Sequence, residues 1–248
     1  MGIVSGRYPY DGLRYAKSDE KPRFQTRKEI NRQLPGLTEA KQSDLWECLY
    51  PTLPEITSLL AHVKHHAIQP WIYPLIATDA HTGARKSELL RMQITDVDFD
   101  AAEITIREKK RSHDSHTTRR VPLSSIIVNA LKAWLSIHPG GPFLFVQSRD
   151  VLHSSTRGKT AKRKKPGIRP VTEDEAADHL KRTLAGSEWK EVRGYHIFRH
   201  SFISACASKG VDQRLIDEWV GHQSEEQRRR YRHLYPSVQA KALRSVFG

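Results

Sequence analysis

Residues 96–123 read DVDFDAAEITIREKKRSHDSHTTRRVPL. Three short segments within them favour β structure: Asp96 to Phe99, Glu103 to Arg107, and Arg120 to Leu123. Apolar and polar residues alternate there, which turns one face of a strand to a core and the other to water. Asp100 to Ala102 is short enough for a tight turn, whereas Glu108 to Arg119 is a long polar loop. The pattern predicts a small antiparallel sheet.

The spacing on both sides of this sheet is helical. Upstream, Thr52 and Glu55 fit a capping box, and Ile56, Leu59, Leu60 and Val63 follow on one helical face. Further helical stretches cover Trp71 to Thr78 and Lys86 to Met92. Downstream, Ser125 to Leu135 carries Ile127, Leu131, Trp134 and Leu135 on one side, and a short apolar run, Phe143 to Val146, comes next. Four helices follow: one opened by the capping box Thr172 to Glu175, one over Tyr195 to Ser208, one after Asp212, and one after Ser224 with Gln227. Val238 to Phe247 predicts a short terminal helix. The fold class is therefore mainly α with a small antiparallel β-sheet (α+β). Residues 1–42 show little periodicity and read as a tail or linker, with a short helix near Arg27 to Gln33. Residues 43–248 read as one domain carrying a basic insertion at about 153–170.

Composition narrows the function. The chain has 248 residues, 38% of them hydrophobic and 28% charged, which suits a soluble globular domain. No apolar run is long enough to span a bilayer, and Met1 to Tyr10 lacks the basic-then-apolar order of a secretory signal. The expected compartment is the cytoplasm. Cys48 and Cys206 are too few for a disulfide framework or a thiolate metal site. Lys and Arg outnumber Asp and Glu by 41 to 28, and the sequence pI is about 9.8. Such a balance points to a polyanionic partner, nucleic acid before anionic membrane.

Four pieces carry chemistry. In Thr82-Gly83-Ala84-Arg85-Lys86-Ser87-Glu88, an Arg at a helix start sits near backbone N–H groups, a setting that favours a phosphate. Glu88, three residues on, can fix its rotamer; an ordinary surface Arg–Glu pair reads the same way. In His196-Ile197-Phe198-Arg199-His200, His196 and Arg199 share a helical face and form a donor pair for phosphate oxygens, or simply a solvated basic face. Phe198, Phe202 and Cys206 would anchor that helix in the core. In Trp219-Val220-Gly221-His222, Gly221 ends a helix and leaves His222 at its mouth, where a harmless capping His also fits. Lastly, Tyr231 lies within Gln227-Arg228-Arg229-Arg230-Tyr231-Arg232-His233. A phenol among guanidiniums is a nucleophile whose pKa positive neighbours push below about 10; an interfacial aromatic is the plainer reading.

Together, Arg85, then His196-x-x-Arg199, then Gly221-His222, then Tyr231 resembles the tyrosine recombinase/phage integrase family, catalytic domain. Arg199 and His222 are 23 residues apart, and His222 and Tyr231 are 9 apart. The resemblance runs from about Pro54 to the C-terminus. Two features depart from the commonest pattern: Val220, where Leu often precedes Gly-His, and the basic insertion Arg157 to Arg169. Neither touches a catalytic position.

The resemblance implies a site-specific recombinase that cuts and rejoins double-stranded DNA through a 3′-phosphotyrosyl intermediate at Tyr231. Arg85, Arg199 and His222 would hold the non-bridging oxygens, His196 would take the proton from Tyr231 or brace the phosphate, and Glu88 would support Arg85. Lys109, or Lys110 if the loop register is shifted by one, would protonate the leaving 5′-oxygen. The DNA face would include Lys110, Arg111, Arg119, Arg120, Arg157, Lys159, Lys162, Arg163, Lys164 and Lys165. The family implies a homotetramer on DNA, with no cofactor, metal, ATP or membrane. His62, His65 and His66 lack the intervening Glu of a zinc-protease helix and read as a polar face. The rival functions are a type IB topoisomerase, a catalytically inactive DNA-binding domain and a metal-dependent nuclease.

Overall fold

A computed structural model describes residues 23–108, 118–148, 167–221, 224–231 and 243–247. The helices and strands follow in the order α1 Arg27–Gln33, α2 Glu39–Trp46, α3 Leu53–His66, α4 Ile72–Thr82, α5 Lys86–Leu89, β1 Val97–Asp98, β2 Glu103–Arg107, β3 Thr118–Pro122, α6 Ser125–Leu135, β4 Val146–Ser148, β5 Ile168–Pro170, α7 Glu173–Leu184, α8 His196–Ser208, α9 Gln213–Val220 and α10 Glu225–Arg229. Residues 243–247 are also helical. Among the described residues no helix is long and apolar enough to cross a membrane.

Helix α4 is the hub. Ile72, Leu75, Ile76, Ala77, Ala80 and Thr82 are all buried, and α3, α6 and α8 pack around it. A helix that is apolar on nearly every side stays in place because each side meets another apolar face. The N-termini of α3 and α7 are closed by the expected capping boxes, Thr52 with Glu55 and Thr172 with Glu175. Helix α6 spans the predicted residues and turns Ile127, Ala130, Leu131 and Trp134 inward. Helix α8 also forms as predicted, but Phe202 and Cys206 are half-buried; Phe198, Ser201, Ile203, Ser204 and Ala207 line the deeper face.

The sheet order is β1-β2-β3, antiparallel throughout, with Ile104 opposite Val121 and Ile106 opposite Arg119. Strand β3 begins at Thr118, two residues before the expected start. Alternation then places Arg119 and Val121 on the buried face and Arg120 on the exposed one. A second, two-stranded sheet pairs Val146 with Pro170 and Ser148 with Ile168. The basic insertion is thus the connection of a hairpin, and Arg169 at its foot pairs with Glu175.

The N-terminal boundary is earlier than Ser43. Phe24 and Ile30 are 2% and 0% exposed, so residues 23–33 belong to the packed domain. Gln25 bonds through its backbone to Cys48 and Tyr50, stitching this segment alongside Leu49. Phe24, Ile203, Ala207, Ile216, Val220 and Tyr231 form a small apolar cluster of their own.

Candidate active site

Helix α4 ends at Gly83, whose φ of 61° is left-handed. A Cβ there would lie 2.8 Å from Phe202 Cδ1 and 3.0 Å from Val220 Cγ1. Only glycine lets this turn approach α8 and α9 so closely. The turn sets Arg85 as the residue that opens α5. Its backbone N–H donates to Glu88 Oε2 at 2.8 Å and its Nη1 to Glu88 Oε1 at 2.9 Å. The Arg85 side chain stays 37% exposed while that of Glu88 is 3% exposed. Burial works against the Glu88 carboxylate, yet the hydrogen bonds and charge of Arg119, with Arg85 behind them, hold its pKa below the ordinary value.

Arg199 comes from the first turn of α8 and is 8% exposed. Its Nη1 donates to the carbonyls of Gly83 at 2.7 Å and Val220 at 2.6 Å. Arg199 is thereby held on the same turn that carries Arg85. Burial first, then the charges of Arg85 and Arg119, lower its pKa to about 10, so it is cationic at neutral pH. His196 is one turn away; burial, then Arg199, Arg85 and Lys86, lower its pKa and keep it neutral. A neutral imidazole can accept a proton.

Tyr231 follows α10 directly and is 3% exposed. Its ring stacks on Phe24, with centroids 4.7 Å apart, and the Arg230 guanidinium lies over the Phe24 ring, its Cζ 3.7 Å from the centroid. The phenol oxygen is 2.7 Å from Nδ1 of His200. The expectation of a lowered Tyr231 pKa is reversed. Burial raises it, and the charges of Arg199 and Arg230 offset only part of that. Low dielectric penalises a phenolate more than two guanidiniums at these positions repay.

The structure therefore brings Arg85, Glu88, Arg199 and His196 together, and it places Tyr231 within the field of Arg199. His222, Lys109, Lys110, Arg111, Arg157, Lys159, Lys162, Arg163, Lys164 and Lys165 lie outside the described residues. Arg120 is exposed beside Glu103. Arg119, expected on the DNA face, instead has a buried side chain turned to Glu88, Glu108 and Trp219. Counting back by two from Val121 would have found it. Sequence reasoning also missed His200, the immediate neighbour of Tyr231. Asp79 was missed too: it is fully buried, no hydrogen-bond partner reaches its carboxyl oxygens among the described residues, and burial raises its pKa well above the carboxylate range. Of the three histidines considered for metal, His62 and His66 stack on each other, and His62 Nε2 lies 3.0 Å from the carbonyl of Thr183.

A scan of family models matches the phage integrase family over residues 52–237. The chain belongs to that family and has the catalytic-domain fold of the tyrosine recombinases. It is 32% identical to the type 1 fimbriae regulatory protein FimB of Escherichia coli K12, over 70% of this chain and 78% of FimB. It is 28% identical to the tyrosine recombinase XerA of Pyrococcus furiosus, over 66% of this chain but only 49% of XerA. The chain thus spans about half the length of that recombinase. Among solved structures, the fold is similar to crystalline XerA recombinase, with a TM-score of 0.55 at 19% identity over 89% of this chain and 81% of that one. It is also similar to the Tn1549 transposon integrase in complex with circular intermediate DNA, with a TM-score of 0.57 at 18% identity over 77% of this chain and 63% of that one.

Proposed function

We propose that this chain recombines double-stranded DNA at specific sites by transesterification, with Tyr231 as the nucleophile. The observation that carries the reading is the grip of Arg199 on the Gly83 carbonyl, two residues from Arg85. It joins two guanidiniums from distant parts of the sequence in one place, with the Tyr231 phenol in the field of Arg199. Phosphodiester cleavage gathers negative charge on the two non-bridging oxygens. Fixed guanidiniums stabilise that charge without reorganising, and their planar forks suit paired oxygens.

In this reading Arg85, Arg199 and His222 hold the scissile phosphate. Tyr231 attacks phosphorus, its proton passes to His196 or to water, and a 3′-phosphotyrosyl bond forms as the 5′-oxygen leaves with a proton from Lys109. The 5′-hydroxyl of a partner strand then attacks the phosphotyrosine, releasing Tyr231 and rejoining DNA. The ester conserves the bond energy, so the cycle needs no ATP, and the arginines take the part that a metal plays in many nucleases. Arg120 and the basic residues of the 149–166 connection would add sequence-independent contacts to the backbone. Strand exchange between two sites calls for four subunits, hence a homotetramer on DNA. Relatives solved on DNA, such as the transposon integrase, support DNA as the substrate.

The buried state of Tyr231 means that it must swing out to react. A nicked suicide duplex from the DNA flanking the chain's own gene tests the whole reading. Wild type should yield a denaturant-stable protein–DNA adduct, mass mapping should place it on Tyr231, and EDTA should not prevent it. Tyr231→Phe should bind the same DNA and form none. Binding without any wild-type adduct would leave only a DNA-binding domain. Relaxation of supercoils without strand transfer would make it a topoisomerase.

A further inference from the structure

The Arg119 side chain donates four hydrogen bonds, and the scheme above gives it no task. Its side chain is 6% exposed. Nη2 donates to Glu88 Oε2 at 2.6 Å, and Nη1 to Glu88 Oε1 at 3.3 Å and Glu108 Oε1 at 3.1 Å. Nε donates to the carbonyl of Trp219 at 2.7 Å. These partners come from three separate segments: α5, the end of β2 and the last turn of α9.

Each partner adjoins a residue assigned to the reaction. Glu88 holds Arg85 through two hydrogen bonds. Glu108 immediately precedes Lys109. Trp219 stands three residues before His222, and the next carbonyl, that of Val220, is taken by Arg199. The last carbonyls of a helix lack partners within it and carry the negative end of its dipole. Two guanidiniums, Arg119 and Arg199, satisfy them here and fix where α9 ends. The chain then turns at Gly221, where a Cβ would lie 2.5 Å from Glu108 Oε1 and 3.4 Å from Arg119 Nη1. The Glu108 and Arg119 side chains thus pack directly against Gly221, between the foot of the β2–β3 hairpin and the end of α9.

We infer that Arg119 is a positioning residue of the recombinase site, setting the Glu88–Arg85 arm, the foot of the hairpin and the end of α9 relative to one another. The inference rests on the reading that Arg85 clamps the scissile phosphate. Arg119 touches no reacting atom; it acts through Glu88, Glu108 and the Trp219 carbonyl. Lysine cannot replace it, because a single ammonium cannot serve a carboxylate pair and a carbonyl from one rigid fork.

The test is single-turnover cleavage of the nicked suicide duplex by wild type, Arg119→Gln and Arg119→Lys, with gel-shift binding and thermal melting alongside. The same duplex with a methylphosphonate at the scissile position is the second substrate. That group removes one negative charge and so relaxes the need for a well-placed clamp. Arg119→Gln should bind DNA as wild type does and lose about 100-fold in cleavage of the phosphodiester, the usual scale for an ångström of misplacement. Its deficit on the methylphosphonate should be clearly smaller. Arg119→Lys keeps the charge that balances Glu88, so it tests the same point if the Gln variant melts early; it should show the same pattern with a smaller loss. Wild-type rates in both variants, or equal losses on the two substrates, would overturn the inference and leave Arg119 a structural ion-pair partner. An absent wild-type adduct on the phosphodiester duplex would instead overturn the recombinase reading, and this inference with it.

Discussion

The Tyr231 phenol oxygen and His200 Nδ1 lie 2.7 Å apart in a pocket closed by Phe24. Both groups are held neutral. Burial, followed by the charges of His196, Arg230 and Arg199, lowers the His200 pKa to about 3. In the unfolded chain His200 would take up a proton near pH 6.5. Its contribution to stability is therefore complete above that value and is lost as the pH falls from there toward 3. Urea unfolding at pH 7.5 and pH 5 should show a loss for wild type that is clearly smaller in His200→Asn. Equal slopes for the two proteins would mean that His200 is already protonated in the fold.

At alkaline pH the phenol dominates. Burial raises the Tyr231 pKa above its unfolded value of about 10, so its share of stability is present below that value and is lost as the pH rises through it. Tyr231→Phe should flatten this alkaline decline. It should also cost about 0.5–1.5 kcal/mol at neutral pH, the usual net value of one hydrogen bond, because the ring keeps its stacking on Phe24. Chemical denaturation of both proteins at pH 7.5 and pH 10.5 checks both points; an unchanged alkaline limb would place the phenol in water.

Phe24 is 2% exposed and meets both Tyr231 and His200, with ring centroids 4.7 Å and 3.9 Å away. Phe24→Ala should destabilise the domain by about 3–5 kcal/mol, the range for removing a buried aromatic ring. It should also admit water to the phenol and bring its titration, followed by absorbance, back toward that of a free tyrosine. A Phe24→Ala protein as stable as wild type would detach residues 23–26 from the domain.

Much of this arrangement was legible in the sequence. Helix α6 and the capping boxes of α3, α7 and α10 could be read because their signals are local: a hydroxyl, an acid or amide three residues on, and an apolar stripe. The convergence of Arg85 with Arg199 was legible only through the order and spacing of the family motif. What stayed hidden depends on tertiary burial. A two-residue shift in the start of β3 turned Arg119 from a surface cation into a buried one. The cluster that raises the Tyr231 pKa includes Phe24, more than 200 residues away in a stretch without periodicity. A basic local sequence around Tyr231 predicted the opposite shift because it could not show that the ring faces inward.

Gly83 joins the fold to the chemistry. Its left-handed φ and the approach of Phe202 and Val220 leave no room for a methyl group. Gly83→Ala should cost about 1–3 kcal/mol from backbone strain before any clash is counted. Its carbonyl anchors Arg199, so the cleavage rate should fall by more than the lost folded fraction explains. Thermal melting and single-turnover cleavage on the same preparation separate the two effects. A fall in rate fully accounted for by unfolding would show that Arg199 keeps its place without this carbonyl.

Asp79 makes the last case. Its carboxyl is fully buried, and the charge of Arg199 offsets only part of the desolvation that raises its pKa. A folded-state pKa above the unfolded one means that this group costs nothing below about pH 3.9, and that the cost grows as the pH rises. Asp79→Asn removes the titration and keeps the shape. The variant should therefore melt higher than wild type at pH 8, by about 2–4 °C for each kcal/mol regained, and show little gain at pH 4. Cleavage should be unchanged, because burial favours the neutral acid at Asp79 and the amide reproduces its shape beside Arg199. Lower stability and slower cleavage of Asp79→Asn at pH 8 would instead mean that Asp79 is ionised in the fold and serves as the counter-charge that keeps Arg199 in place.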